Sequence, residues 1–138
     1  MASGHGDVEK SALLTEEERE KSVVITDPGL PDNPMIFVSD EFTEQTGYEP
    51  EEALGRNCRF LQGPESDPAA IEAIRGALRS NSAITVDILN YRKDGQKFWN
   101  RLRIRPLFGE DGKLLYFAGA QNPIDPDEVR SEAQYDQR

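Results

Sequence analysis

A single cysteine and a single histidine are all that 138 residues offer for disulfide or metal chemistry. One cysteine cannot close an intramolecular bridge, so nothing marks an oxidising compartment. One histidine leaves a His/Cys metal cage or a His-based nucleophilic triad almost without parts. Positive charge is also scarce: 16 Lys and Arg stand against 26 Asp and Glu, a formal net charge of −10 at pH 7. Such a balance repels phosphate backbones and anionic lipid, which removes nucleic acid and membrane surfaces from the expected partners. Long apolar runs are missing too. No stretch approaches the ~20 residues of a membrane-spanning helix. Residues 1–10 lack the apolar segment of a signal peptide, so a cytoplasmic protein is expected.

What remains is enough for one core and not for two. The acids are unevenly spread. Residues 1–22 carry six acids and three bases, and residues 124–138 carry five acids and two bases. Neither flank has a sustained apolar stripe: Val8, Ala12 and Leu13 form the best helical face of one, Val129 and Ala133 that of the other. The flanks read either as solvated tails or as short helices completed by the core or by a second copy of the chain. The self-sufficient domain is residues 23–123.

Within it, residues 23–27 and 35–39 are β-branched apolar runs separated by Pro28, Gly29, Pro31, Asp32, Asn33 and Pro34, which predicts strand, turn, strand. Helices are predicted from Ser39 or Asp40 to Gly47, from Pro50 to Gly55, and from Asp67-Pro68, where Ile71, Ile74 and Leu78 supply the buried face. Strands follow at 84–90, 98–108 and 113–121, joined through Asp94-Gly95 and Asp111-Gly112. Helices bunched between strand groups predict an α+β fold with one antiparallel sheet, covered on one face by the helical middle.

Strand alternation then isolates three amides. Asn90 shares parity with Ile84, Val86 and Ile88; Asn100 with Phe98, Leu102 and Ile104; Gln121 with Leu115, Phe117 and Gly119. Taken singly, an Asn near a strand end is best read as bonded to backbone. Three carboxamides on one apolar face are better satisfied by a polar heterocycle that both donates and accepts. The reading carries a condition: a strict two-residue turn at Asp94-Gly95 would set Asn90 opposite Trp99, so a shared face needs an odd-numbered loop or a bulge.

Between residues 56 and 79, Arg56, Arg59, Arg75 and Arg79 outnumber Glu65, Asp67 and Glu72, against the trend of the chain. Arg56 and Arg79 read as solvated ion-pair partners, whereas Arg59 and Arg75 equally suit one or two phosphate groups. The outward residues Arg101, Arg103 and Arg105 read as a solvated strand face. Cys58 has two readings, a small buried hydrophobe or a thiol made reactive by flanking positive charge.

The stretch Gly55-Arg-Asn-Cys-Arg-Phe-Leu-Gln-Gly63, with Asp32-Asn-Pro34, Thr46-Gly-Tyr48, Asn90-Tyr-Arg-Lys-Asp-Gly95, Phe98-Trp-Asn100 and Gln121, resembles the LOV family of blue-light receptors, a flavin-binding branch of the PAS fold. The resemblance implies a five-stranded antiparallel sheet with short helices on one face and helical N- and C-terminal flanks. It implies FMN, favoured over FAD because no large insertion follows Gln62, held non-covalently between sheet and helices. Asn90 and Asn100 would bond the pyrimidine edge, Gln121 the N5/O4 edge, Gln62 the ring or ribityl chain and Asn57 the ribityl chain. Arg59 and Arg75 would hold the phosphate. Val24, Thr26, Asn33, Leu61, Ile74, Leu78, Ile88, Leu102, Phe117 and Gly119 would line the pocket. On illumination Cys58 would form a reversible cysteinyl-C4a adduct, and the Gln121 amide would rotate and pass a signal to the flanks. With too few residues after Gln121 for an output domain, a photosensor without enzymatic activity is expected. It would act on a homodimer partner through its flanking helices or on an unidentified downstream protein. The alternatives are a light-independent flavin redox sensor and a plain PAS ligand or interaction module.

Overall fold

The computed structural model describes His5, Gly6 and residues 12–135. In chain order the elements are β1 (His5–Gly6), α1 (Glu16–Arg19), β2 (Ser22–Thr26), β3 (Met35–Val38), α2 (Asp40–Thr46), α3 (Pro50–Ala53), a 3-10 turn (Cys58–Leu61), α4 (Pro68–Ser80), β4 (Ile84–Tyr91), β5 (Lys97–Phe108), β6 (Leu114–Gln121), β7 (Pro123–Ile124), a second 3-10 turn (Pro126–Glu128) and β8 (Gln134–Tyr135). The sheet order is β1-β3-β2-β6-β5-β4-β8, with β7 also pairing β5. The five longer strands are those expected. The two-residue strands β1 and β8 cover the edges of β3 and β4, which would otherwise offer unpaired backbone to other chains.

Local chemistry accounts for the helices. Glycine ends α2 because the residue after Thr46 must turn left-handed, and Gly47 does so at φ 82°. Asp67 caps α4 by accepting from the Ala69 N–H at 2.9 Å, and Pro68 occupies the first turn, where a missing N–H costs nothing. Ala70 and Ala77 of α4 pack with Ile84, Val86, Ile88 and Phe117 of the sheet. The 3-10 turn, α2 and α3 close over β2 and β3 through Phe42, Ala53 and Leu61 on Val24, Met35 and Val38.

The opposite face of the sheet is also covered, by the N-terminal flank, so on that side the reading of a solvated tail gives way to one completed by the core. Leu14, 4% exposed, seats on Val23, Ile25, Phe37, Leu107 and Ala118. Leu13, proposed as part of the apolar face, is 39% exposed, and Ala12 is exposed; Val8 lies outside the described residues. A capping box between Thr15 and Glu18 holds α1, a single α-helical turn. The described part of the C-terminal flank, through Tyr135, is not the helix expected: Pro123 and Pro126 remove backbone donors, and the segment forms β7, the second 3-10 turn and β8. Arg101 and Arg105 are correspondingly ion-paired and only partly exposed rather than a free solvated face. Arg105 donates to both carboxylate oxygens of Glu18 at 2.7 and 2.8 Å. Arg101 does the same to Asp87 at 2.8 and 2.9 Å, and its Nη2 also donates to the Glu128 carbonyl at 2.9 Å. The outer arginines therefore anchor the two acidic flanks.

Candidate functional site

Tyr91 pairs with Lys97, so the β4–β5 loop comprises residues 92–96, an odd number. It is closed by the Arg92 N–H donating to the Gln96 carbonyl at 2.8 Å. This register sets Asn90 opposite Phe98 and Asn100 opposite Ile88, meeting the condition for a shared face. Asn90, Asn100 and Gln121 are 4%, 0% and 3% exposed. Asn100 Nδ2 donates to Asn90 Oδ1 at 3.0 Å and to Gln121 Oε1 at 2.6 Å, while Asn100 Oδ1 accepts from the Asn122 N–H at 2.9 Å. One side chain thus ties the other two amides to the backbone just past the end of β6.

Asn90 and Gln121 face a cavity of about 210 Å³ between the sheet and the helices. Val24, Thr26, Asn33, Asn57, Cys58, Arg59, Leu61, Gln62, Ile74, Arg75, Leu78, Ile88, Leu102, Phe117 and Gly119 line it with them. Of the expected pocket residues only Asn100 stands outside the lining, behind the other two amides. Ile71 and Ile104 also line the cavity and were not named for it. Their signal was present, since Ile71 belongs to the stripe of Ile74 and Leu78, and Ile104 shares parity with Asn100 and Leu102. Ile71, Ile74 and Leu78 pack toward the sheet cluster yet stay half-buried, because the cavity lies beside them.

Polar groups on the wall are left wanting. Thr26 Oγ1 and Asn33 Oδ1 are buried without hydrogen-bond partners, a cost that a ligand with matching groups would remove. A side chain at Gly119 would put its Cβ 3.4 Å from Val24 Cγ2, so glycine keeps the wall flat beside Gln121. At the mouth Arg59 pairs with the Asp32 carboxylate, and Arg75 with Glu72 at 3.3 Å. Arg56 instead lies over the Phe60 ring, its guanidinium carbon 4.2 Å from the centroid, and Arg79 reaches Glu72 at 3.5 Å.

Cys58 opens the 3-10 turn and lines the cavity. Burial pushes its thiol up to about 12. Of its two readings the buried one holds: one neighbouring arginine lies over an aromatic ring, the other on Asp32, and desolvation dominates. Cys58 holds a thiol, not a thiolate.

Residues 20–122 match the model of the PAS domain family. The chain is 54% identical over 110 residues to phototropin-2 of Oryza sativa subsp. japonica, covering 79% of this chain and 12% of that protein. It is 46% identical over 124 residues to a blue-light-activated histidine kinase of Rhizobium johnstonii, covering 90% of this chain and 35% of that one. Among solved structures, a light-oxygen-voltage domain studied with a flavin analogue superposes with a TM-score of 0.79 at 45% identity, covering 82% and 84% of the two chains. The chain is a LOV domain of the PAS family. The dark structure of the blue-light photoreceptor Aureochrome1 LOV superposes equally well, with a TM-score of 0.79 at 38% identity over 93% and 90% of the two chains.

These relatives correct one expectation. A LOV protein outside enzymology was anticipated, but relatives of this domain include blue-light-activated histidine kinases, enzymes by name. The chain spans 12% to 35% of the length of such curated relatives. No helix among the described residues is long and apolar enough to cross a membrane.

Proposed function

We propose that this LOV domain is a blue-light receptor that binds FMN in the cavity described above and senses light through Cys58. The observation that supports it most directly is that the Cys58 thiol and two members of a buried amide row line the same cavity. Asn90, Asn100 and Gln121 together supply donors and acceptors for the edge of a heterocycle. Ile74, Leu78, Leu102 and Phe117 supply apolar surface for a flat ring. Thr26, Asn33, Asn57 and Gln62 suit a hydroxylated chain, and Arg59 and Arg75 suit a phosphate. Bound there, a flavin would supply blue-light absorption and a ring carbon able to take a sulfur reversibly in the light.

The chain's own part follows from its groups. Because Cys58 is neutral in the dark, it would bring sulfur and proton together, forming a bond that breaks again thermally. Gln121 would respond to a new donor on the ligand by turning its amide, since only its oxygen can accept. That turn sets Nε2 against Asn100 Nδ2, two donors face to face, in place of the 2.6 Å bond. Asn100 must then adjust, and Asn100 Oδ1 holds the Asn122 N–H. The switch would thus reach the start of the C-terminal flank through one side chain. We place the flavin-binding unit at residues 23–123 and the output in residues 1–22 and 124–138, acting on a second copy of the chain or a downstream protein. The test is chromophore extraction from purified chain, with spectra before, during and after blue light. Extracted FMN and a blue band that bleaches and recovers in darkness are expected. A colourless chain, or a flavin band indifferent to light, would overturn the reading.

A further inference from the structure

The cavity mouth carries a carboxylate where an anionic ligand needs cations. Asp32 stands in the β2–β3 loop, and both it and Asn33 have left-handed backbone, φ 68° and 48°. Asp and Asn tolerate this conformation better than most residues. It presents two consecutive side chains at one rim: Asn33 lines the cavity, and the Asp32 carboxylate takes the Arg59 guanidinium. Two further bonds close the arrangement. Asn57 Nδ2 donates to the Asp32 carbonyl at 2.8 Å, and Asn57 Oδ1 accepts from the Arg59 N–H at 2.9 Å. Asn57 and Arg59 both line the cavity as well.

Arg59 is therefore no idle cation, because its anion is already supplied by the protein. Both side chains of the pair are more than half exposed, 59% and 58%, so it is weak enough to exchange partners. A phosphate arriving at Arg59 must displace Asp32 and then sit beside the carboxylate it displaced. A ligand without phosphate leaves the pair intact. Resting on the flavin reading above, we propose that Asp32 is a specificity-determining residue, an internal counter-anion that narrows the preference of this site for FMN over riboflavin.

The test uses the full chain stripped of flavin and titrated separately with FMN and riboflavin by flavin fluorescence, at low and high salt. Asp32→Asn keeps the side-chain shape, tolerates the left-handed backbone and retains the carbonyl that holds Asn57. Its FMN dissociation constant should fall about five- to tenfold and its riboflavin constant move less than about twofold, the gain shrinking as salt screens the charges. In an Arg59→Gln background the same change should lose most of its effect. An FMN-to-riboflavin ratio unmoved or lowered by Asp32→Asn, or an equal gain without Arg59, would overturn the proposal. A wild-type chain that binds neither flavin would overturn the flavin reading and this inference with it; binding of both with an unmoved ratio removes only the role of Asp32.

Discussion

Replacing Asn100 by alanine is the most informative single perturbation of the amide row. The side chain is fully buried and makes three hydrogen bonds, at 2.6, 2.9 and 3.0 Å. Its removal orphans Asn90 Oδ1, Gln121 Oε1 and the Asn122 N–H. The first two belong to residues that line the cavity and can turn to water, whereas the Asn122 N–H has lost the acceptor that held it. One to two unsatisfied groups at about 1–3 kcal/mol each, plus a small void, give a loss of about 2–4 kcal/mol. Urea unfolding of flavin-free protein, read by midpoint and slope, measures it. Asn100→Asp sharpens the test. A carboxylate there accepts from Asn122 but cannot donate to Asn90 or Gln121, so burial would raise its folded pKa above the unfolded value of about 3.9. The folded state would then bind the extra proton. Relative to wild type, stability should be least reduced below the unfolded pKa and fall as pH rises through the folded one. A loss under about 0.5 kcal/mol for the alanine variant, the range of ordinary surface changes, would refute the claim that Asn100 organises the row.

Other consequences are as direct. A Cβ on Gly63 would lie 2.3 Å from Tyr91 Cε1, so Gly63→Ala should cost about 1–3 kcal/mol by displacing that ring, with much of the loss recovered in Gly63→Ala/Tyr91→Ala; equal thermal stability of wild type and single variant would count against the packing argument. Burial alone would raise Glu18, but the bonds donated by Arg105 and Thr15 hold its carboxyl below the ordinary value of 4.5. The resulting stabilisation is complete above that value and disappears as pH falls through the lower folded-state pKa. Hydrogen-exchange protection across residues 14–19, taken relative to the intrinsic rate at each pH, should therefore drop in acid for the wild type, and show no such step in Glu18→Gln.

The site was more legible in the sequence than the surface around it. Parity along a strand is a geometric certainty once the strand is recognised, so Asn90, Asn100 and Gln121 each fell on the apolar side of its own strand before any register was known. Only the loop length was open, and residues 92–96 supply the odd number required. The stripe of Ile71, Ile74 and Leu78 was visible too, but a stripe does not say whether it faces a sheet or a cavity, which is why Ile71 went unassigned. The outer face was opaque for a different reason. Leu14 buries one side chain rather than a periodic row, and the partners of Arg101 and Arg105 lie 14 and 87 positions away. Alternating charge on a strand looks the same whether water or a returning flank covers it. The choice between the two readings of Cys58 stayed open because sequence proximity to Arg56 and Arg59 says nothing of where their guanidiniums go.

The central claim, that Cys58 is the light-reactive group of a flavin-binding cavity, is tested most directly by difference spectra of wild type and Cys58→Ala under identical blue illumination. The account predicts a blue band in both, bleaching and dark recovery in the wild type, and an unbleached band in the variant. Reversible bleaching of equal extent without the Cys58 sulfur would contradict it.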